Sequence, residues 1–233
     1  MLPRLMLALK QALSLVSLKH TGASPDVWNP IDEASLKAWW QMREGITYEP
    51  DAGVSEWLDS STNTYDLTQS TEASQPTYSG GILTFDGVDD NLASSQINLG
   101  AGSNSTIGVR GDFSSGTGTI LGDDESNAFI SLLSSTLLRV KSLTGAADFT
   151  LASGTFGDGY IVITRDSSDD VNAYYNGVSI SAEVNQGGTI KIDNMGSTAG
   201  AGGFFDGTIS EVQIYTSTSA ALTTHVNSRL STL

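Results

Sequence analysis

The sequence predicts an all-β fold, either a sandwich or a barrel of short antiparallel strands. Candidate strands follow one another at roughly 8–12-residue intervals without long helices between them, which is typical of sandwiches and barrels rather than parallel α/β sheets. Asn176-Gly177 lies between two apolar runs and is a strong hairpin signal, because a type I′ turn needs two residues with positive φ. The 25 glycines, together with abundant Ser and Thr, favour turns and short strands.

Two segments in the second half of the chain show the strand pattern clearly. "YIVITR" (160–165) is β-branched and apolar, and "VNAYYNGVSI" (171–180) holds the hairpin signal. Further candidate strands are "AFISLL", "LLRVKSL", "TIKI" and "GILTFDG". Near the end of the chain, Leu222, Val226 and Leu230 have the i, i+4, i+8 spacing of one helix face, which predicts a short closing helix.

One late segment alternates in polarity. In "GTISEVQIY" (207–215), Val212 and Ile214 face one side, whereas Glu211 and Gln213 face the other. This alternation predicts a strand with one buried face and one solvated face.

The stretch "ILTFDGVDDNL" (82–92) predicts a strand that ends in a tight corner. Leu83 and Phe85 point to one face of the strand, towards the core. Asp86-Gly87 is turn chemistry, in which Gly supplies the positive φ and Asp caps the turn. A structural corner explains this stretch without a ligand.

Four segments in order resemble the laminin-G-like branch of the concanavalin A-like lectin/glucanase superfamily. They are "EWLDSSTNTYDLTQSTEASQPTY", "ILTFDGVDDNL", "YIVITRDSSDDVNAYYNGV" and "FFDGTISEVQIYTSTSAAL". The resemblance implies a jelly-roll sandwich of two antiparallel sheets over residues 36–233. One segment departs from the pattern, because Val109 and Arg110 stand where the family usually carries a Trp on a strand.

Residues 1–22 predict an amphipathic N-terminal helix, joined to the domain by a linker at 23–35. Its apolar face would carry Leu2, Leu5, Met6, Leu9, Leu13 and Val16. Leu7, Leu15 and Leu18 make the other side apolar too, which favours a helix that docks into a partner or a symmetric oligomer. Packing on its own domain and a secretory signal peptide are the alternatives.

Charge and composition limit the classes of partner. The net charge of −15 argues against nucleic acid, since phosphate binding needs concentrated Lys and Arg. With no cysteine, disulfides, zinc-thiolate sites and Cys nucleophiles are excluded. No stretch approaches the roughly 18 apolar residues of a membrane span.

The sequence predicts a protein without enzymatic activity. Glucanases of this superfamily carry a Glu-x-Asp-x-x-Glu run on one strand, and its nearest counterpart here has Glu49 and Asp51 but Val54 in place of the second Glu. The two histidines, His20 and His225, lie outside any nucleophile-elbow or metal-pair motif.

Acidic turns suggest calcium, which prefers hard oxygen ligands. The predicted ligands are Asp89, Asp90, Asp166, Asp169 and Asp170, with the run Asp123, Asp124 and Glu125 as a further candidate. Lectins of related fold hold calcium in such loops, as the resemblance implies. Solvated acidic turns without a metal are the alternative.

Glycan binding is a second expectation, with aromatic side chains as stacking platforms. Tyr78, Tyr174 and Tyr175 are the candidates, because all four Trp lie in the first quarter of the chain. Cross-strand packing is the alternative for a Tyr-Tyr pair beside a hairpin turn.

Three functions fit these patterns. The favoured one is a structural or adhesive protein of a tailed-phage particle, located in the virion, docked to capsid or tail proteins by its N-terminal helix and presenting a lectin-like jelly roll to glycans. The second is a secreted or cell-surface bacterial lectin, and the third is a glycan-active hydrolase. The sequence leaves the oligomeric state open.

Overall fold

The described part of the chain is a two-sheet β-sandwich with one α-helix. The structure, a computed structural model, describes residues 28–125, 128–181, 183–198 and 202–233. Within these residues, eighteen strands form two antiparallel sheets of nine strands each. The predicted all-β jelly-roll sandwich with a short C-terminal helix is therefore confirmed.

The strands are short, as the spacing of the turns predicts. In chain order they are β1 Leu36–Trp40, β2 Ile46–Glu49, β3 Gly53–Trp57, β4 Leu67–Thr68, β5 Thr77–Ser79, β6 Ile82–Asp86, β7 Leu92–Leu99, β8 Ser105–Asp112, β9 Gly118–Gly122, β10 Phe129–Ser134, β11 Leu137–Lys141, β12 Ala146–Thr150, β13 Asp158–Arg165, β14 Asp170–Tyr175, β15 Val178–Ser179, β16 Val184–Asn185, β17 Ile190–Met195 and β18 Asp206–Tyr215. The helix α1 spans Ala220–Leu230, and 3-10 turns lie at Pro30–Asp32 and Glu72–Ser74.

Neighbouring strands are often distant in sequence, as expected of a jelly roll. Sheet A has the order β15-β14-β13-β8-β18-β6-β5, with β1 paired to β18 and β16 paired to β14. Sheet B has the order β12-β11-β10-β9-β17-β7-β4-β3-β2. The core lies between the sheets and includes Trp57, Leu83, Phe85 and Val109, each at most 1% exposed.

The predicted turns form as their residues dictate. Asn176 and Gly177 have φ of 49° and 76°, the left-handed values of the expected hairpin turn. Gly87 has φ of 75°, and the Asp86 carboxylate accepts a hydrogen bond from the Val88 N–H at 2.8 Å. The corner after β6 is therefore capped as the sequence indicates.

Helix α1 packs on the outer face of sheet A. Leu222, Val226 and Leu230 are buried there in a second apolar cluster with residues of β13 and β18. Gly108 in β8 permits this contact, since a Cβ at that position would lie 2.7 Å from Val226 Cγ1. Ser219 caps the start of the helix, and its hydroxyl accepts a hydrogen bond from the Leu222 N–H at 3.1 Å.

The prediction that β18 is half-buried is wrong, because α1 covers its outer face. Glu211 has no exposed surface and pairs with Arg229 of α1, whose Nη2 lies 2.9 Å from Glu211 Oε2. Trp39 Nε1 also donates to Glu211, at 3.0 Å, and Gln213 donates at 2.7 Å. The polar outward face of β18 is therefore buried, and the Glu211 carboxylate on it is held by hydrogen bonds and an ion pair.

The segment before β1 also reaches this helical layer. The Trp28 ring stacks on His225 with centroids 5.1 Å apart and lies 6.4 Å from the Tyr215 ring. The predicted docking helix at residues 1–22 lies outside the described residues. In the part of the chain that the structure describes, no helix combines the length and apolar character needed to cross a membrane.

We expect the loss of Arg229 to destabilise the fold more than the loss of the Glu211 charge. Arg229→Met leaves a carboxylate in a site without exposed surface, so it should lower the free energy of unfolding by about 3 kcal/mol. Glu211→Gln leaves the partly exposed Arg229 able to reach water and should cost about half as much. Urea unfolding followed by tryptophan fluorescence measures both changes.

Arg139→Met is the matched control, because the Arg139–Asp148 pair lies on the surface of sheet B. This control substitution should lower the free energy of unfolding by less than about 1 kcal/mol. An Arg229→Met cost as small as this control would show that the helix is not held by the buried pair.

Candidate functional site

A polar groove lies on the outer face of sheet B. Its volume is about 550 Å³, and the residues that line it are Ser55, Thr68, Gln69, Ser70, Asn91, Ala93 and Asn194. Among the described residues the only α-helix packs on sheet A, so no α-helix covers this face. The groove therefore opens on the side of the sandwich that lies opposite α1.

Strand alternation brings these residues together. Leu67, Leu92 and Met195 point into the core, so the residues next to them point outward. Ala93 pairs with Thr68 on one side and with Asn194 on the other. Three strands that are far apart in sequence therefore contribute to one surface.

Side-chain amides fix the wall of the groove. Gln69 Nε2 donates to Asn91 Oδ1 at 2.9 Å and to the Asn91 carbonyl at 3.1 Å. Gln69 Oε1 accepts the Thr71 N–H at 3.0 Å, and the Asn91 N–H donates to the Ser74 carbonyl at 3.1 Å. The amide orientations are therefore set by the protein itself, so little order is lost when a ligand binds.

Asp193 lies next to the groove and is hydrogen-bonded to one of its lining residues. Asn194 Nδ2 donates to Asp193 Oδ1 at 2.6 Å, and Gln96 Nε2 donates to Asp193 Oδ2 at 3.2 Å. Burial raises the pKa of Asp193, the two hydrogen bonds oppose this, and the negative charges of Asp124 and Asp123 raise it further. The border of the groove is acidic.

The lining chemistry suits a ligand rich in hydroxyl groups. Serine and threonine hydroxyls donate and accept, and the Asn and Gln amides offer both functions. Among the residues that the structure describes, no aromatic ring and no Lys or Arg lines the groove. Binding here would rely on hydrogen bonds rather than on stacking or ion pairing.

The three predicted glycan-binding tyrosines lie at separate places. Tyr78 on β5 packs against Tyr48 with ring centroids 4.6 Å apart. Tyr174 packs against the helical cluster outside sheet A, whereas Tyr175 meets Phe156 edge-on at 5.1 Å inside the sandwich. The structure does not bring them together, and none lines the polar groove. Tyr175 lines a separate cavity of about 290 Å³.

Asp166, Asp169 and Asp170 lie together in the β13–β14 hairpin, where backbone and side-chain donors occupy them. Asp166 Oδ1 accepts the Asp170 N–H at 3.0 Å, and Asp169 Oδ1 accepts the Gly102 N–H at 2.8 Å. Asp170 Oδ1 accepts from Asn185 Nδ2 at 2.8 Å. These contacts account for the hairpin without a metal.

The predicted calcium ligands do not form a single site. Strand β8 begins beside the β13–β14 hairpin, where Ser105 pairs with Arg165. It ends beside Thr208 of β18, two residues from the pairing of Asp206 with Asp86. Eight residues of strand span roughly 25 Å. Asp89 and Asp90 therefore lie at the opposite end of sheet A from the hairpin acids.

Asp89 and Asp90 instead form a cluster with Asp86, a residue interpreted from the sequence only as a turn cap. One carboxylate oxygen from each lies within 4.8 Å of the others. Burial raises the pKa of Asp90 to about 6, a hydrogen bond from the Asp86 N–H opposes this, and the charges of Asp86 and Asp89 add to the rise. Three hard oxygen donors suit Ca²⁺, so calcium binding at this turn stays a prediction.

Comparison with known proteins identifies the fold but no family. No protein-family model and no curated protein matches the chain. Among solved structures, a Trypanosoma rangeli sialidase in complex with sialic acid is 13% identical, with a TM-score of 0.54 over 86% of this chain and 33% of that one. A botulinum neurotoxin type C structure, whose cell entry depends on two ganglioside molecules, is 12% identical, with a TM-score of 0.53 over 85% and 51%.

The chain spans about a third of the sialidase and about half of the toxin structure. At these identities the likeness shows the jelly-roll fold alone. The laminin-G-like resemblance in the sequence is consistent with that fold, whereas nothing in the comparisons indicates a phage origin.

The raised pKa of Asp90 predicts a pH-dependent effect of Asp90→Asn. The folded pKa of about 6 lies above the ordinary 3.8, so ionisation of Asp90 weakens the fold as pH rises through 6. At pH about 8 the variant should exceed the wild type in free energy of unfolding by about 1–2 kcal/mol, after allowing for partial solvation. The gain should vanish at about pH 3, below the ordinary pKa of 3.8, where Asp90 is mostly protonated in both the folded and the unfolded wild type.

The measurement is urea unfolding at both pH values in the presence of EDTA, and a less stable variant at the higher pH would contradict the prediction.

The same variant tests whether the turn binds calcium. If the turn binds the ion, about 1 mM CaCl₂ should raise the melting temperature of the wild type but not of Asp90→Asn. An unchanged wild-type melting temperature and no heat on calorimetric titration would exclude the site.

Proposed function

We propose that this domain is a non-catalytic glycan-binding module whose ligand lies in the groove on sheet B. The observation that carries the proposal is the set of hydroxyl and amide side chains lining that groove, which match the donors and acceptors of a sugar. Two solved structures of similar fold are a sialidase in complex with sialic acid and a neurotoxin whose cell entry depends on gangliosides, which supports a glycan as the class of ligand to test.

The alternative function for the same groove is glycan hydrolysis. Asp193 borders the groove with a raised pKa, as a general acid would, and the charges of Asp123 and Asp124 act on it. Its two oxygens already accept hydrogen bonds from Gln96 and Asn194, which favours a role in holding the surface. Release of reducing sugar from a polysaccharide panel, lost in Asp193→Asn, would replace the binding proposal with an enzymatic one.

We propose further that residues 1–22 attach the domain to a larger assembly, such as the capsid or tail of a phage particle. This rests on the sequence alone, in which an apolar basic arm precedes a strongly acidic domain. Deleting residues 1–20 should leave a folded domain that no longer joins the assembly. A mature N-terminus near Ser24 would instead favour a secreted lectin.

Filling the groove should abolish binding. Thr68 is exposed at its centre, so Thr68→Trp places a large ring where the ligand would lie. For an oligosaccharide that binds the wild type on a glycan array, the Kd should rise at least about tenfold, or about 1.4 kcal/mol. Isothermal titration calorimetry measures the change.

Thr150→Trp is the matched control, since Thr150 is an exposed threonine on β12 at the far edge of the same sheet. It should bind like the wild type, and equal melting temperatures would show that both variants fold. Undiminished binding by Thr68→Trp would place the ligand elsewhere, with the cavity beside Tyr175 as the next candidate.

A further inference from the structure

Each cationic side chain in the described part of the domain already has a partner. The described residues contain eight Lys and Arg, and four of them have a carboxylate oxygen within 3.2 Å. These pairs are Arg110–Asp158 at 2.6 Å, Arg139–Asp148 at 2.7 Å, Lys191–Glu125 at 3.2 Å and Arg229–Glu211 at 2.5 Å. Lys191 is the nearest of the eight in sequence to Asn194 of the groove, and its charge is balanced by Glu125.

The other four cations are engaged as well. Lys37 lies over the Tyr65 ring at 4.9 Å, and Lys141 lies over the Phe129 ring at 5.2 Å. The remaining two are guanidinium groups that donate to backbone carbonyls. Arg43 donates to the Gly80 carbonyl at 3.0 Å. The fully buried Arg165 donates to the Leu99 carbonyl at 2.8 Å and the Gly188 carbonyl at 2.7 Å, and it also lies 3.8 Å from the Asp169 carboxylate.

Carboxylates border the groove on both sides. Asp193 is hydrogen-bonded to Asn194 at one side. Glu56 follows Ser55 in β3 and pairs with Thr68 across the β3–β4 ladder, with its Oε2 3.2 Å from the Thr47 hydroxyl. Within the described part of the chain, an anion in the groove would therefore meet two bordering acids and no lining cation.

From this distribution we infer that the groove selects uncharged glycans and rejects sialylated or otherwise anionic ones. Carboxylate recognition depends on Arg or Lys that can donate charge-assisted hydrogen bonds, and here each such group has another partner. Neutral sugar hydroxyls need only the Ser, Thr, Asn and Gln groups that line the groove. Repulsion between an anionic sugar and the bordering carboxylates would weaken its binding, whereas a neutral sugar would not be repelled.

The inference rests on the proposed function and goes against the ligand of a structural neighbour. The Trypanosoma rangeli sialidase was solved with sialic acid, an anionic sugar, and shares the fold at 13% identity. A common fold does not fix the charge of the ligand, because the side chains that face the ligand differ. In this domain the placement of acids and cations sets the preference.

The test is a panel of biotinylated oligosaccharides in which every neutral chain has a counterpart with one terminal sialic acid. With the full-length protein in about 10 mM NaCl, neutral chains should bind at least about tenfold more tightly than their counterparts. In about 1 M NaCl the ratio should shrink several-fold, because the Debye length falls to about 3 Å. Glu56→Gln should also narrow the ratio, whereas Glu183→Gln, at an exposed acid beyond β14 in sheet A, should not.

The outcomes separate the inference from the proposed function. Equal or tighter binding of the sialylated chains would overturn the inference and leave glycan binding in place. A preference for neutral chains that neither salt nor Glu56→Gln alters would also overturn it, because exclusion would then be steric. Binding of no probe at all would overturn the proposed function and the inference together.

Discussion

Glu211 lies in the middle of β18 without exposed surface, and its charge must be balanced where it lies. Arg229, held under Trp39 by a cation–π contact of 4.9 Å, supplies that balance from α1. A buried carboxylate without its partner is strongly destabilising, so α1 has one position on the sandwich. The helix therefore covers the outer face of sheet A, and the small polar side chains of the groove lie on the outer face of sheet B.

A groove of this kind favours modest affinity with defined selectivity. Its hydrogen-bonding groups replace water one for one, so each contributes only about 1 kcal/mol to binding. None of the described lining residues is aromatic, so the groove gains no stacking energy from them. Selectivity would come instead from unfavourable charge contacts at the border, and useful avidity from several copies acting together.

Local chemistry in the sequence predicts much of this fold. The Asn176-Gly177 hairpin, the Asp86-Gly87 corner and the helix marked by Leu222, Val226 and Leu230 all depend on neighbouring residues, and all form. The burial of Glu211 could not be read from its strand, since the alternation of β18 is the same whether water or a helix covers the polar face.

The candidate site was missed for a related reason. Its lining runs from Ser55 to Asn194 over four strands, and a threonine or asparagine on a strand resembles any solvated position. The sequence favoured tyrosines as platforms, but rings such as Tyr175 are used in packing. The sequence also did not show which aspartates lie close together. A turn lies at one end of its sheet or the other according to the direction of every strand, and that direction depends on the whole topology.

The contact of Trp28 with His225 holds the first described residue against the helical layer on sheet A. The groove opens through the opposite sheet. A partner bound to the helical layer would therefore leave the groove uncovered, so attachment at one face and ligand binding at the other are sterically compatible.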